Sequence, residues 1–224
     1  MLNWAARYFP ILRVLKPHLA KNDSLLEIGC GTVGIGMFLP IPFVGCEINF
    51  VAKPKRPMLP VMASATGLPF ADRSFDGVVV SDVLEHVPPH LRMVVIQESL
   101  RVARKIAIFG FPSGTAASEY DLKLAQSYDR SPQGRPEWLQ EHLRYQPFPT
   151  PELFQGLPQE WRVRSFDNEN VGFHNWVMEK EMYRIAIHLF RLLLNWIPGV
   201  MESLLRRADR EPYYRKIVVA ERHG

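Results

Sequence analysis

Leu25-Leu26-Glu27-Ile28-Gly29-Cys30-Gly31-Thr32-Val33-Gly34 carries an apolar run into an acidic residue and then directly into a glycine-rich turn. That order describes a buried parallel strand whose carboxyl end opens onto a ligand. Gly29 and Gly31 let the backbone turn tightly and approach the ligand with no Cβ in the way. The short helix that follows offers its N-terminal N–H groups to an anion. Two cofactors fit these residues. Gly29, Gly31 and Gly34 satisfy G-x-G-x-x-G, and Glu47 follows at about the spacing of a ribose-binding acid in a nicotinamide enzyme. The same residues fit the loop that binds S-adenosylmethionine (SAM). Glu27 helps to separate the two. A carboxylate just before the first glycine repels a pyrophosphate and suits a cofactor that carries an ammonium and a sulfonium.

Beyond Glu47 the chain continues Ala63-Ser64-Ala65-Thr66-Gly67-Leu68-Pro69-Phe70, then Ser74-Phe75-Asp76-Gly77-Val78-Val79-Val80-Ser81-Asp82-Val83-Leu84-Glu85-His86-Val87. With the glycine loop, this resembles a class I SAM-dependent methyltransferase. It is closest to the broad type 11-like group that includes quinone-biosynthesis and many small-molecule enzymes. The resemblance runs from Leu25 to about Phe111, and the combination of segments is far more specific than the glycine loop alone.

The resemblance implies a cofactor site. Glu27 orients the loop and the amino-acid end of SAM, or caps the loop's own N–H groups, or does both. Gly29, Cys30 and Gly31 form the loop. Glu47, with Ile48 next to it, accepts from the two ribose hydroxyls, as a bidentate carboxylate can. Ser64 and Ala65 meet the adenine, and Asp82 lines the methionine and methyl region. Two positions depart from the family pattern. Val33 stands where a third glycine is usual, with Gly34 one later. Ser64 stands where the family often has Asp.

Catalytic residues are less legible. Methyl transfer from SAM depends largely on positioning, and a base is needed only if the nucleophile must lose a proton. Asp82 and His86 are the candidates. Asp82 is equally well read as the N-cap of a short helix Val83–Val87, and His86, one turn on, is better read as structural than as a base. His142, Tyr145 and His174 are further candidates, placed only by lying in expected insertions.

The whole chain bounds these readings. Its 224 residues and 47% apolar content suit one ordinary domain with a substantial core. A net charge of +4, scattered along the chain, is too small for a nucleic-acid signature, and no nucleic-acid partner is expected. Two cysteines, Cys30 and Cys46, form no disulfide framework and no metal spacing, so no metal is expected and a reducing cytoplasm is. Met1–Leu19 is interrupted by Arg7, Pro10, Arg13 and Lys16 and is read as an amphipathic helix, kinked at Pro10, not as a signal peptide.

The expected fold class is α/β: a Rossmann-like, doubly wound sheet, mostly parallel, with a C-terminal antiparallel hairpin and helical insertions. Strands are expected at Asp23–Ile28, Phe43–Glu47, a short run ending at Ala63, Gly77–Ser81 and Lys105–Phe111, with a helix over Pro88–Arg104. Pro54, Pro57 and Pro60 argue against a helix between the second and third strands. Residues 1–224 read as one domain. Residues 1–111 form its cofactor-binding half, 112–160 a substrate-side insertion, and 172–210 a helical insertion between the last two strands, Trp161–Phe166 and Tyr213–Glu221. Within that insertion Val177–Ile197 reads as one mostly apolar helix with a polar stripe of Glu181, Arg184, His188, Arg191 and Asn195. Its apolar face is expected to be covered by the domain first, by a second copy (a possible homodimer) next, and by lipid last.

The function implied is methyl transfer from SAM to a small-molecule, lipid-linked or glycan acceptor. The alternatives are a non-catalytic SAM-binding or scaffold protein and, behind it, a nicotinamide oxidoreductase.

Overall fold

The computed structural model describes residues 1–130, 134–181 and 183–223. Seven strands form one sheet: β1 (Leu25–Ile28), β2 (Phe43–Glu47), β3 (Met58–Met62), β4 (Phe75–Ser81), β5 (Ala103–Pro112), β6 (Trp161–Asn170) and β7 (Tyr213–Arg222). Their order across the sheet is β3-β2-β1-β4-β5-β7-β6. The first five run parallel, and β7 is antiparallel to both β5 and β6. This is the expected Rossmann-like sheet with its C-terminal hairpin. The order reverses at β1 and β4, and a doubly wound sheet binds ligands at the carboxyl ends of the strands around such a switch point.

Side-chain alternation along the central strands builds two cores. Leu26, Val78, Val80, Ala107, Phe109 and Val218 face one side and pack with Val95, Ile96 and Leu100 of helix α2 (Arg92–Val102). Leu25, Val79, Ile106, Ile108, Ile217 and Val219 face the other and pack with Tyr8, Ile11, Leu12 and Leu15 of helix α1 (Leu2–Leu15). Every residue of β4 is buried, as a strand covered on both faces requires. Pro60 lies within β3, which is tolerable because β3 is the sheet's edge.

Several expectations shift. Helix α1 contains Pro10 within its span. The helix expected over Pro88–Arg104 is a 3-10 turn at Pro89–Leu91 followed by α2. No helix joins β2 to β3, as the prolines require. The described residues of 112–160 include helices α3 (Gly114–Asp129) and α4 (Glu137–Arg144) and a 3-10 turn at Pro151–Phe154. The single helix expected over Val177–Ile197 is instead two, α5 (Val171–Glu181) and α6 (Arg184–Trp196), followed by α7 (Pro198–Ala208). Glu181 therefore lies on a different helix from Arg191 and Asn195, and the continuous polar stripe does not exist.

The three helices do not project as a separate layer. They fold back on α1, where Val177, Phe190, Leu194 and Met201 bury Leu2 and Ala5. The cover is one-sided. Ile185, Leu189, Leu192 and Trp196 line the opposite face of α6, with Ile185 and Trp196 more than 80% exposed. Among the described residues no single helix is long and apolar enough to cross a membrane, and α6 and α7 are bent by 113° where they meet.

Candidate cofactor and acceptor site

The glycine loop leaves β1 with Gly29, Gly31 and Gly34 all at positive φ. Glu27, fully buried at the carboxyl end of β1, governs it. Its Oε1 accepts from the Tyr8 hydroxyl at 2.7 Å and its Oε2 from the Ile35 backbone N–H at 2.7 Å. Burial pushes this carboxyl up to about 7, although both hydrogen bonds and nearby Arg7 pull it down. Both oxygens are thus engaged inside the protein. Of the two roles expected for Glu27, capping the loop is the one this geometry contains. Gly34 is explained by the same contact: a Cβ there would stand 2.0 Å from the Glu27 Oε2.

Gly31 is different. At φ 54° its absent Cβ would meet nothing within 4 Å, so the turn is open where a ligand approaches. Its N–H donates to the Glu47 Oε2 at 2.9 Å, and the Glu47 Oε1 accepts from the Ile48 N–H at 2.9 Å. Glu47 is held in place at the end of β2 with lone pairs remaining. Ile48 beside it is 71% exposed. Cys30 lies in the loop by its backbone. Its side chain is buried against Met58, and burial pushes the thiol well above its usual range, so only its backbone borders the loop. Ser64 and Ala65 follow β3. The Ser64 hydroxyl lies 2.8 Å from the Thr66 hydroxyl and accepts from the Thr66 N–H.

Asp82 leaves β4 at positive φ and is not an N-cap: the turn that follows, Leu84–His86, has no side-chain cap. Its carboxylate pairs with Arg7 of α1 at 2.5 Å and with Arg215 of β7. Arg215 is itself buried and reaches Glu169 at 3.4 Å.

Behind Asp82 opens a cavity of about 270 Å³ lined by polar groups, among them Arg7, Glu85, His86, His142 and His174. His86 is bonded through Nδ1 to Glu141 at 2.7 Å, and its Nε2 faces the His142 Nε2 at 3.3 Å. The His142 Nδ1 is bonded to the buried Asp121 at 2.6 Å. Burial and neighbouring His142 push His86 down to about 4, against the pull of Glu141. Glu85 is buried with neither carboxylate oxygen partnered, and burial pushes it up to about 8. His174 is bonded to Glu169 at 2.9 Å and stacks on Tyr214. Two of the three outlying candidates, His142 and His174, therefore reach the cavity. Tyr145 does not border it; its backbone carbonyl accepts from Arg92.

The sequence reading missed Arg7, Glu85, Asp121, Glu141 and Arg215. Glu85 and Glu141 each adjoin a candidate histidine, which is a signal in hindsight. Arg7 and Arg215 come from opposite ends of the chain and meet only through the sheet.

The Methyltransf_11 family, described as a methyltransferase domain, matches residues 26–111, the span from β1 through β5. Residues 26–111 thus carry a methyltransferase domain, and the sheet built on it supports the class I SAM-dependent type. Similar solved structures share the fold of this methyltransferase domain and its surroundings. One is a protein provisionally described as a methyltransferase from an antibiotic biosynthesis pathway of Anabaena variabilis ATCC 29413. It is 17% identical with a TM-score of 0.55, over 96% of this chain and 98% of that one. Another is magnesium protoporphyrin IX methyltransferase from Synechocystis PCC 6803 with bound SAH, 12% identical with a TM-score of 0.52, over 99% and 83%. A third, the 4+2 cyclase SpnF, is 16% identical with a TM-score of 0.52, over 95% and 80%. Identities this low speak for the fold alone. No curated protein sequence matches. The match to a methyltransferase domain and the fold shared with a SAH-bound structure indicate SAM as the cofactor, and the open turn at Gly31 beside the anchored Glu47 fits it.

Proposed function

We propose that this protein transfers a methyl group from SAM to a small-molecule acceptor that enters the cavity behind Asp82. One observation carries the reading. The open glycine turn and Glu47 share the carboxyl edge of the parallel strands with Asp82, and Asp82 also lines the polar cavity.

Bound at this edge, SAM supplies an electrophilic methyl on a sulfonium. The chain's own residues do the rest. Glu27 holds the loop in shape through the Ile35 N–H. Gly31 leaves room for the cofactor, and Glu47 accepts from the ribose diol. Ile48 offers an apolar surface to the adenine, with the backbone of Ser64 and Ala65 beyond it. Asp82, fixed by Arg7 and Arg215, closes the methyl end. Helix α4 brings His142 and Trp138 over the cavity and limits water there. Holding the acceptor atom in line is the main contribution such a site makes to rate. The cavity volume of about 270 Å³ suits a compact acceptor or the reacting end of a glycan or lipid-linked one.

Calorimetry with SAM and with NAD, followed by release of labelled methyl from SAM in the presence of acceptor pools, tests this. SAM is expected to bind, NAD is not, and methyl release is expected to depend on the pool. Glu47→Ala is expected to weaken SAM by about tenfold or more, the loss of a charged hydrogen-bond partner costing about 1.5–3 kcal/mol. Tight NAD binding without SAM binding overturns the reading. SAM binding with no methyl release from any pool favours a non-catalytic SAM-binding protein instead.

A further inference from the structure

His86 and His142 point their Nε2 atoms at each other across 3.3 Å. Each ring is backed by a carboxylate, Glu141 behind His86 and Asp121 behind His142. A carboxylate accepts, so each Nδ1 carries the ring proton and each Nε2 presents a lone pair. Two lone pairs at this distance repel unless a cation lies between them. A proton shared by the rings satisfies the pair but leaves Glu85 unexplained. That side chain is 1% exposed, with neither oxygen partnered, and a buried polar group in that state is costly. One oxygen of Glu85 and one nitrogen of each histidine all lie within 4.8 Å of one another. A proton on the histidine pair does not reach Glu85. A metal ion does.

We propose that Glu85, His86 and His142 form a mononuclear site for a divalent first-row transition ion of the zinc type. Three lines of chemistry converge on it. Imidazole nitrogens bind zinc at about 2.0–2.1 Å, which in tetrahedral geometry separates two of them by about 3.3–3.4 Å. The observed separation of 3.3 Å matches that nitrogen–nitrogen distance. Metal-bound histidines characteristically donate their second N–H to a carboxylate, which fixes tautomer and orientation, and both rings are held in that way. The donor set, two imidazoles and one carboxylate, suits a borderline ion of this series better than magnesium or calcium. Neither Glu85 oxygen has a hydrogen-bond partner to give up on binding the ion.

Three protein ligands leave a fourth position, the arrangement of a catalytic rather than a structural zinc. That position faces the cavity, so it takes an oxygen of the acceptor: a hydroxyl, phenol or carboxylate. Bound to the ion, a hydroxyl is more acidic and gives its proton to water in the cavity; the resulting oxygen anion forms the new bond to the methyl as the methyl–sulfur bond breaks, and the neutral thioether S-adenosylhomocysteine leaves. The ligands come from the turn after β4 and from α4, 56 positions apart between the histidines, which is why no local spacing in the sequence announces them. The role of the open position rests on the methyltransferase reading. Metal binding does not, and the two are measured separately.

The test uses the full chain, free of any histidine tag and stripped with a chelator. It is titrated with Zn²⁺ by calorimetry and with Co²⁺ by visible absorption. One Zn²⁺ per chain is expected, with a Co²⁺ spectrum of the intense, four-coordinate type. Glu85→Gln and His86→Gln are expected to weaken Zn²⁺ by at least tenfold, and Asp121→Asn, which touches no metal, by about 10–100-fold. SAM affinity, measured on the same variants, reports that each is folded and is expected to stay unchanged. Absence of stoichiometric Zn²⁺ binding by the parent chain overturns the site. So does unchanged Zn²⁺ affinity in the His86→Gln, His142→Gln pair, since the ion is then adventitious. Methyl release indifferent to chelation overturns the role of the open position, whereas loss of SAM binding in the parent chain overturns the methyltransferase reading alone.

Discussion

At the scale of single residues, the loop after β1 depends on an acid and a glycine touching each other. The Gly34 Cα lies so close to Glu27 that an added Cβ would be 2.0 Å from Oε2 and 3.0 Å from Cδ, at a φ of 54° that side chains resist. Gly34→Ala is therefore expected to displace the carboxylate from the Ile35 N–H and open the loop. Leaving a buried donor or acceptor unpaired costs about 1–3 kcal/mol, so SAM affinity is expected to fall by about fivefold or more, read by calorimetry. Unchanged affinity would show that the loop shape does not depend on this contact. The sequence showed Gly29, Gly31 and Glu47 clearly, because backbone geometry and strand ends recur wherever such a loop is built. It showed Gly34 only as a departure in position, since the reason for it is a side chain seven positions earlier. The acceptor cavity was less legible still. Asp82 looked like a helix cap because caps are read from neighbours in sequence, whereas its partners, Arg7 and Arg215, are distant in the chain.

At the scale of elements, the amino ends of the central strands are tied by Asp76. Its carboxylate accepts from the Ser24 N–H and hydroxyl before β1 and pairs with Arg104 and Lys105 of β5. Burial alone would push this group up. The Ser24 hydrogen bonds and the two cations outweigh it and hold Asp76 at about 2, below its ordinary 3.8. The folded pKa is depressed, so the stability it contributes is complete above about pH 4 and is lost as pH falls through about 2. The shift corresponds to about 2 kcal/mol, discounted to about 1–2 because Arg104 and Lys105 are near half exposed. Asp76→Asn is expected to lower the urea midpoint at pH 7 and to narrow the gap between the parent and variant at pH 2. An equal gap at both pH values would place the effect in packing, not in charge. Strand positions were the most legible elements, since β2, β4 and β7 announce themselves as buried apolar runs. The helix expected over Val177–Ile197 was misread because neither proline nor glycine marks the break between α5 and α6. Tertiary contacts differ on its two sides: α5 packs on α1 and α3, whereas α6 packs on α1 and α7.

At the scale of the whole molecule, the two faces of α6 carry opposite expectations. Phe190 and Leu194 are buried against α1, and Met201 of α7 joins them. Ile185, Leu189, Leu192 and Trp196 recur at helical spacing on the other face and remain exposed. The domain therefore covers only part of the apolar surface that the sequence assigns to this helix. Leu194→Ala is expected to cost about 2–5 kcal/mol, as truncation in a packed core does. The triple variant Ile185→Ser, Leu189→Ser, Trp196→Ser is expected to change stability by about 0.5 kcal/mol or less at each site, since exposed positions carry little packing. Neither is expected to alter SAM affinity, because every residue placed against the cofactor itself, from Glu27 to Asp82, precedes α5. Urea denaturation of both variants, at two protein concentrations, decides the matter. A triple variant destabilised by several kcal/mol would mean that this face is covered. If that loss also depended on protein concentration, as mass action requires of an assembly, the cover would be a second copy of the chain.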